Sequence, residues 1–562
     1  MSSVRAPYIL GLNDSHDGSA CLLQGERILV AIKEERLTRH KHQRLTVGST
    51  LCGSIIYCLD AVDISIEQID LVVVCAQGHS RSPKRDIGRN RLLASLAANG
   101  KVRWLPHHAA HAISAYALSG FEEAAVLVVD SIGSHVSDLW PSEIQVARGP
   151  KTGSFETSSG YMARGTSLEP IHKTLTHTNA CDPMNGPGLF RFGSLGRMYE
   201  AVSKLTFSSG KECGKVMGLA PLGLPTHSPT AFFNIDGDDL HFHPTVPDLH
   251  STVAPWPAEQ ERHRNLACSA QGALEAGLLH LALDLRARTG ARHLCFAGGT
   301  ALNGVANEKL LRDAGFDDIF IPPAADDSGC AIGAAYWGLW QLGGQHPAQR
   351  LRADSLGRHY DADSVVDAAA RTPGVALLPH ASASREAVAR MLDGQYIGWF
   401  SGGSEFGPRA LGQRSILCDP RGAHRKDELN ARIKQRESFR PFAPAILREH
   451  AREWFELAQD NDDSPFMLRV SPVKTEKRPL VPAVVHVDGS GRLQTVDAEG
   501  NPAFHALVAE FYRRTGVPLV LNTSFNGKNE PIVETPKHAL ACMLATGLDA
   551  VIFQEHVAIP LR

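Results

Sequence analysis

The feature that most constrains the fold of this chain is a strand that ends in two glycines and lies between two helical stretches. A helical pattern over Gln271–Thr289 is followed by the apolar run Leu294–Ala297, by Gly298 and Gly299, and by a second helical pattern over Asn307–Ala314. This order predicts an α/β unit with the glycines at the carboxyl end of a buried strand, where nucleotides commonly bind. An isolated glycine pair is more often a tight turn without a ligand, so the flanking strand and helix are what favour a nucleotide site.

Short apolar strands with polar turns at their ends recur elsewhere in the chain. The segments YILGLN, GSACLLQ and RILVAIK near the start predict three strands, and the run Ala124–Asp130 ends in an aspartate followed by a polar turn. The regular pattern is lost at 342–356, which is rich in Gly, Pro and polar residues. We therefore expect two α/β domains, residues 1–345 and residues 355–562, of which the second is smaller.

A dense group of basic residues lies between Ser404 and Leu447, in a protein whose formal net charge is only -3. Such a local excess of positive charge indicates a small anion as ligand, and the near-neutral chain argues against nucleic acid as a partner. Intervening glycines and prolines allow the basic groups to converge on a phosphate or carboxylate instead of lining a solvated helix face. The basic residues are Arg409, Arg414, Arg421, Arg425, Lys426, Arg432, Lys434, Arg436 and Arg440.

The composition is that of an ordinary globular protein, with 562 residues, 43% hydrophobic and 21% charged. The first residues lack the pattern of a secretion signal, and no apolar run approaches the ~18 residues that a membrane span needs, so we expect a cytoplasmic protein without membrane association. The 11 cysteines are scattered and contain no C-x-x-C pair, which favours buried thiols over a zinc ribbon or a disulfide framework.

A pair of histidines suggests a metal site. His107 and His111 follow Pro106 at positions i and i+4 of a predicted helix, which places both imidazoles on one face within reach of one ion. Asp130 at a strand end and Asp327 before a small-residue helix are candidate acidic ligands, and such a set suits a divalent transition metal, iron more than calcium. Taken alone, a histidine pair at this spacing is more often a surface or core pair than a pair of ligands.

Ten motifs spread over nearly the whole chain resemble, in order, those of the O-carbamoyltransferases that modify antibiotics, nodulation factors and related natural products. The motifs are GLNDSHDGSA, EERLTRHKH, HHAAHAISAY, SLGRMYEAVSKLTF, GKVMGLAPLG, GGTALNGVAN, EFGPRALGQRSIL, KQRESFRPFAPAIL, HVDGSGRLQTV and VLNTSFNGKNEPIV.

The resemblance implies a two-part enzyme. The N-terminal domain is expected to have a duplicated, actin-like ATPase fold similar to the tRNA threonylcarbamoyl-transfer protein. The C-terminal domain is expected to be a twisted-sheet α/β domain similar to the threonylcarbamoyl-adenylate synthase. The second would make carbamoyl adenylate from carbamoyl phosphate and ATP, and the first would transfer the carbamoyl group to a hydroxyl of a small-molecule acceptor.

The resemblance also assigns roles to individual residues. The expected cofactors are Fe²⁺, or another divalent transition metal, and Mg²⁺ with ATP. The implied metal ligands are His107, His111, Asp130 and Asp327. The implied carbamoyl phosphate ligands are Arg409, Lys434, Arg440, Arg492, Asn522 and Ser524. The candidate nucleotide-binding residues are Lys215, Gly298, Gly299 and Asn303. The candidate catalytic residues are His16, Lys434 and Arg440, with Asp17 as the rival base.

Several questions stay open on sequence alone. The region Ser134–Gly193 is the expected acceptor-binding lid, because loops on a fixed scaffold usually carry specificity, but the acceptor itself cannot be named. A homo-oligomer is compatible with the sequence. The competing interpretations are an actin-fold kinase or ATPase, and a non-catalytic maturation factor that binds nucleotide and metal.

Overall fold

The computed structural model describes residues 5–48, 52–78, 87–177, 193–237, 239–243, 254–458 and 461–561. The chain forms two compact units: Met1–Glu34 with Arg44–Leu351, and Glu35–Gln43 with Arg352–Arg562. Each unit combines helices with a mixed sheet, which confirms the predicted α/β class. The short segment Glu35–Gln43 belongs to the second unit although it lies near the start of the chain.

The first sheet of the first unit has the strand order β3-β2-β1-β4-β5. Strands β1, β2 and β3 are antiparallel neighbours, whereas β1, β4 and β5 run parallel. The parallel strands β1 and β4 are buried along nearly their whole length, as a sheet covered on both faces requires. The bounds are β1 (Tyr8–Asp14), β2 (Ser19–Gln24), β3 (Arg27–Lys33), β4 (Leu71–Ala76) and β5 (Val102–Leu105).

The second sheet repeats this arrangement, with the order β13-β12-β6-β8-β9-β7. Strands β6, β8 and β9 are antiparallel neighbours and β6, β12 and β13 are parallel, so β7 is the one addition to the pattern of the first sheet. This repeat is the duplicated α/β fold that was expected. The bounds are β6 (Glu123–Val129), β7 (Ala147–Arg148), β8 (Ser154–Arg164), β9 (Ser167–His177), β12 (His293–Ala297) and β13 (Asp318–Phe320). A separate antiparallel pair is formed by β10 (Phe233–Asp236) and β11 (Asp239–Phe242).

The middle part of the expected acceptor-binding lid forms strands and not the predicted loop. Residues 154–177 form β8 and β9, an antiparallel pair in the second sheet. Long, paired strands of this kind are part of the scaffold, because their backbone groups are bonded within the sheet. The earlier part of the predicted lid, residues 134–153, includes the helix Pro141–Val146 and the strand β7, and residues 178–192 of the lid lie outside the described residues.

Each of the two large sheets of the first unit is followed by a helix, and these two helices pack closely against each other. The helix His107–Ser119 follows β5 and the helix Cys330–Gln341 follows β13. A Cβ atom at Gly333 would lie 1.9 Å from the carbonyl oxygen of Ala110, so only glycine allows this approach. The helices of this unit are Gly53–Ala61, Ala94–Ala98, His107–Ser119, Pro141–Val146, Leu195–Phe207, Cys213–Leu219, Gln260–Thr289, Gly304–Asp313 and Cys330–Gln341, and the helix Glu34–Thr38 begins in it.

The predicted helix–strand–helix unit is present with extended bounds. Its first helix begins at Gln260, earlier than predicted, and its second is Gly304–Asp313. The helix Gln260–Thr289 is also long and apolar enough to cross a membrane, but 61% of its most apolar window is buried within the protein. Its apolar residues are therefore accounted for by packing in the core.

The second unit is built on one nine-stranded mixed sheet of order β14-β22-β21-β15-β16-β20-β17-β19-β18. Apolar residues of these strands and of the flanking helices form one continuous core. The strands are β14 (Val375–Pro379), β15 (Ile397–Phe400), β16 (Arg414–Cys418), β17 (Ala443–Leu447), β18 (Arg469–Pro472), β19 (Ser490–Val496), β20 (Leu519–Ser524), β21 (Ala550–Ile552) and β22 (His556–Pro560). The α-helices are Ala362–Ala370, Ala383–Leu392, His424–Glu428, Ala451–Trp454, Pro502–Thr515 and Pro536–Thr546, and Leu429–Lys434 is a π-helix.

Candidate metal and anion sites

Four of the predicted ligands converge in the first unit. His107 and His111 lie on the first two turns of their helix, Asp130 directly follows β6, and Asp327 opens the turn before the helix Cys330–Gln341. All four side chains are buried, and their nearest ligand atoms lie within 4.8 Å of one another. The structure therefore brings together residues that are 220 positions apart in the sequence.

The spacing of these atoms suits a single ion. The Nε2 atoms of His107 and His111 are 3.2 Å apart, and each lies 3.3–3.7 Å from the nearest oxygen of Asp130 and of Asp327. Ligands about 2.1 Å from a tetrahedral metal are separated by about 3.4 Å, which is the separation found here. Two imidazoles and two carboxylates form a donor set that a divalent transition metal accepts.

The charges of the four groups support one another. Burial lowers the pKa of His107, but Asp327, Cys75 and Asp130 outweigh it and raise that pKa well above its usual value. Burial likewise raises the pKa of Asp327, but His107 and His16 hold it well below the usual range. The carboxylates are therefore ionised, as metal ligands must be.

His16 lies beside this cluster. Its Nδ1 is 3.3 Å from the second oxygen of Asp327 and its Nε2 is 3.3 Å from Asp17, while half of the side chain is exposed. Burial lowers the pKa of His16, but Asp327 and Asp17 outweigh it and raise the pKa to about 10. Asp17 also contacts the buried ammonium of Lys33 at 3.2 Å. The structure thus places His16 next to the candidate metal ligand Asp327, and Asp17 next to His16.

The glycine pair adjoins the same cluster. Gly298 has φ 94°, and a Cβ atom there would lie 2.3 Å from the carbonyl oxygen of Val129, so the chain passes directly against β6. A Cβ atom at Gly299 would lie 3.2 Å from Oδ1 of Asp130. The absence of a side chain at Gly299 therefore keeps the space beside Asp130 open, whereas at Gly298 it allows the close approach to β6.

The other two nucleotide candidates have structural contacts. Asn303 caps the helix Gly304–Asp313 by accepting from the Ala306 amide, and its amide group is paired with that of Gln271. Lys215 lies 3.3 Å from Glu212 and its ammonium lies over the ring of Phe207. These contacts do not mark either residue as a phosphate ligand.

In the second unit, Lys434 is the last residue of the π-helix, a rare form that is frequent at functional sites. Its buried ammonium donates to Ser524 O at 2.9 Å, to Ser524 Oγ at 3.2 Å and to Asn526 O at 3.0 Å. Burial together with Arg436 and Arg440 holds the pKa of Lys434 well below its usual value. The lysine is fixed in place and experiences strong positive charge from its neighbours.

Four arginines complete this positive cluster. Burial, Arg409, Arg436 and Arg440 together hold the pKa of Arg492 well below its usual value, and burial and Arg440 lower the pKa of Arg436 to about 9. Nε of Arg492 is buried and has no hydrogen-bond partner among the described residues. The carboxylate of Glu437 lies 3.9 Å from the guanidinium group of Arg440. Four guanidinium groups and an ammonium that repel one another form a candidate binding site for an anion.

Two neutral residues predicted for the carbamoyl phosphate site lie on β20. Ser524 accepts from Lys434 and its hydroxyl donates to Asn526. Asn522 donates through Nδ2 to Ala410 O and to Gln494 Oε1, while its Oδ1 is buried without a partner among the described residues. Because both amide hydrogens are in use, the free group of Asn522 is an acceptor, which suits an N–H donor on a ligand.

Several members of the predicted basic group do not belong to the cluster. Arg414 is fully buried and donates to main-chain carbonyls, Arg421 pairs with Asp419, and Arg432 pairs with Asp549. The guanidinium groups of all three are therefore occupied by contacts within the protein.

Sequence reasoning missed three residues at these sites. Arg436 was present in the basic group but was not assigned to the anion, although the motif KQRESFRPF contained the signal. Glu200, whose pKa is raised by burial, accepts from Ser131 next to Asp130. Cys75 lies 3.4 Å from Nδ1 of His107, and no sequence pattern indicates this contact.

Comparison with known proteins agrees with the two units. The family model described as Carbamoyltransferase N-terminus matches residues 8–82 and 96–336, and that described as Carbamoyltransferase C-terminus matches residues 388–559. Nodulation protein NolNO of Sinorhizobium fredii is 35% identical over 96% of this chain and 78% of its own length. Nodulation protein NolO of Bradyrhizobium diazoefficiens is 37% identical over 79% of this chain and 77% of its own length.

Among solved structures, full-length HypF in a phosphate- and nucleotide-bound form is 12% identical with a TM-score of 0.37. That match covers 61% of this chain and 48% of HypF, so the chain spans about half of that protein. The family models, in contrast, account for most of both units. The chain therefore belongs to the carbamoyltransferase family.

Proposed function

We propose that this protein is an ATP-dependent O-carbamoyltransferase that makes carbamoyl adenylate from carbamoyl phosphate and ATP and transfers the carbamoyl group to a small-molecule hydroxyl. The observation that carries the proposal is the convergence of Arg409, Lys434, Arg436, Arg440 and Arg492, whose mutual repulsion and burial lower the pKa values of Lys434, Arg436 and Arg492. Carbamoyl phosphate is a compact dianion, so it suits such a concentration of positive charge.

The first half-reaction would take place in the second unit, within residues 355–562. Bound carbamoyl phosphate releases phosphate on reaction with water, and the carbamate oxygen attacks the α-phosphorus of ATP, which expels pyrophosphate. Lys434 and Arg440 neutralise the leaving phosphate, and Mg²⁺ accompanies ATP. The unpaired Oδ1 of Asn522 can accept from the carbamoyl NH₂ group, which inorganic phosphate lacks.

The second half-reaction would take place in the first unit, within residues 1–345. The space beside Gly298, Gly299 and Asp130 would receive the adenylate. A divalent transition ion, with iron as our candidate, would be held by His107, His111, Asp130 and Asp327 and would polarise the carbamoyl carbonyl.

His16 is the proposed base for the acceptor hydroxyl. Its ring is half-exposed and lies next to Asp327, so it can contact an acceptor that approaches the site. To act as a base His16 must be neutral, which requires that the negative charge that raises its pKa to about 10 is offset, as a cation held by Asp327 would do. The proton of the hydroxyl would then pass to a ring nitrogen as the carbamoyl carbon is attacked, and AMP would leave. Asp17, 3.3 Å from the other ring nitrogen, is the alternative base, and loss of transfer in His16→Gln but not in Asp17→Asn would select His16.

The acceptor is proposed to be a natural product that carries a free hydroxyl group. Two relatives are named nodulation proteins, and such a role is compatible with secondary metabolism.

The experiment follows pyrophosphate and AMP in a mixture of purified protein, ATP and Mg²⁺, with and without carbamoyl phosphate. We expect pyrophosphate only with carbamoyl phosphate, and none from Arg440→Ala. Arg421→Ala is the matched control, because Arg421 is balanced by Asp419. His111→Ala should still release pyrophosphate but fail in transfer.

Other outcomes would favour the competing functions. Formation of ADP independent of carbamoyl phosphate would favour an actin-fold kinase or ATPase. Binding of ATP without any turnover would favour a maturation factor. Either result would overturn the proposal.

A further inference from the structure

Two cysteines lie behind the candidate metal ligand His107. Cys75, near the end of β4, places Sγ 3.4 Å from Nδ1 of His107, and Cys330, the first residue of its helix, places Sγ 3.8 Å from the same atom. Both thiols are fully buried. The sulfur atoms therefore adjoin the ring on the side opposite to the candidate metal site.

The two edges of the His107 ring have different surroundings. Nε2 faces the carboxylates of Asp130 and Asp327 at 3.4 and 3.3 Å, whereas Nδ1 faces sulfur. A histidine that binds a metal through Nε2 carries its proton on Nδ1, and that proton needs an acceptor. In the part of the chain that the structure describes, Cys75 supplies the nearest atom to Nδ1.

This arrangement differs from the usual one. A metal-binding histidine generally donates its second N–H to a carboxylate, a backbone carbonyl or water, which fixes the tautomer and the orientation of the ring. Here a buried thiol occupies that position. The backbone of His107 is fixed separately, because its amide donates to Ser134 Oγ at 2.8 Å.

We propose that Cys75, with Cys330 in a supporting role, is a positioning residue of the metal site that accepts the Nδ1 proton of His107 and directs Nε2 toward the ion. The inference rests on the metal site of the proposed function. It adds that sulfur atoms outside the ligand set determine how tightly the metal is held.

The test uses the full-length protein and Co²⁺ as the metal, with affinity measured by equilibrium competition against a fluorescent chelator. Cys75→Ala should bind Co²⁺ about 10- to 100-fold more weakly than the wild type. Cys75→Ser should recover part of the affinity, because a hydroxyl can accept the same hydrogen bond. Cys330→Ala should have a smaller effect, since its sulfur lies farther from Nδ1.

Cys21→Ala is the matched control. Cys21 is a fully buried strand cysteine in the same sheet as Cys75, so its replacement removes the same atom from a similar environment. The absorption bands of bound Co²⁺ provide a second readout, which should shift in Cys75→Ala and stay unchanged in Cys21→Ala. Thermal unfolding of each metal-free variant verifies that it is folded.

The outcomes distinguish the role of Cys75 from the existence of the metal site. Equal Co²⁺ affinities for Cys75→Ala, Cys75→Ser and Cys21→Ala would overturn the role of Cys75 while leaving the metal site intact. Failure of the wild type to bind Co²⁺ would reject the metal site and this inference with it. If Cys75→Ala does not fold, the Cys75→Ser and Cys330→Ala affinities decide the question in the same way.

Discussion

Replacement of the buried Arg414 and of the partly buried Arg492 by methionine should change the stability of the second unit in opposite directions. Arg414 donates through its guanidinium to the carbonyls of Ser401 and Gly402 at 2.8 and 3.1 Å, whereas Arg492 has no acceptor among the described residues and is repelled by three other arginines. Arg414→Met strands buried carbonyls and should lower the free energy of unfolding by about 3 kcal/mol. Arg492→Met removes an unbalanced charge and should raise the free energy of unfolding by about 1 kcal/mol.

Inorganic phosphate should make the wild type more stable to unfolding than Arg492→Met. At a concentration of about 100 times its Kd, a ligand stabilises the wild type by about 2.7 kcal/mol. A hydrogen bond from a charged group contributes about 1.5–3 kcal/mol, so its loss weakens binding about 10- to 150-fold. The stabilisation of Arg492→Met at the same phosphate concentration should therefore fall to about 0.3–1.4 kcal/mol.

The assay is urea unfolding of the full-length protein, with and without inorganic phosphate, for the wild type, Arg492→Met and Arg414→Met. The reasoning fails if Arg492→Met is destabilised as much as Arg414→Met without phosphate. It also fails if phosphate stabilises Arg492→Met as much as it stabilises the wild type. Either result would mean that Arg492 is balanced within the protein and does not serve an anion.

Three further perturbations test the packing and electrostatics. Gly333→Ala should separate the two packed helices and weaken Co²⁺ binding at least tenfold in the chelator assay. In the control Gly272→Ala the added Cβ meets nothing within 4 Å, so the free energy of unfolding should rise by up to about 1 kcal/mol. Burial, with Arg39 and Lys537, lowers the pKa of His538 from 6.5 to about 4. The unfolded state therefore takes up a proton first, and the free energy of unfolding falls as the pH drops from 6.5 through 4. His538→Gln should reduce this loss, as measured by urea unfolding at the two pH values. Lys173→Met should cost about 3–5 kcal/mol in unfolding free energy, because it leaves two fully buried glutamates without their ammonium partner; an unchanged urea midpoint would contradict this.

Local sequence patterns predicted the elements of the first unit well. The strand before Gly298 and the helix after Pro106 appear where periodicity and proline placed them, because both signals depend on neighbouring residues alone. The lid was predicted poorly, because β8 and β9 are rich in Ser and Thr and resemble a loop in composition. Their strand structure depends on the pairing of β8 with β6 and of β9 with β8, which local composition does not reveal.

The anion cluster illustrates a second limit. The sequence shows nine basic residues in one segment but not which of them are balanced. Arg414 donates to main-chain carbonyls and not to a ligand, and one of these carbonyls belongs to Glu534, which is 120 positions away. Arg492 enters the set from β19, and resemblance to a family identified it where charge density did not. Long-range contacts thus decide which charges remain available to a ligand.

The duplicated sheets explain why the candidate metal ligands come from distant parts of the chain. In each half of the first unit a helix follows the fifth strand, and the contact of Gly333 with Ala110 brings these two equivalent helices together. His107 and His111 lie at the start of one helix and Asp327 lies just before the other, while Asp130 follows β6, the counterpart of β1. One ion would therefore connect both halves of the duplication. The glycine that allows the helices to approach is as necessary to the site as the ligands, although it touches none of them through a side chain.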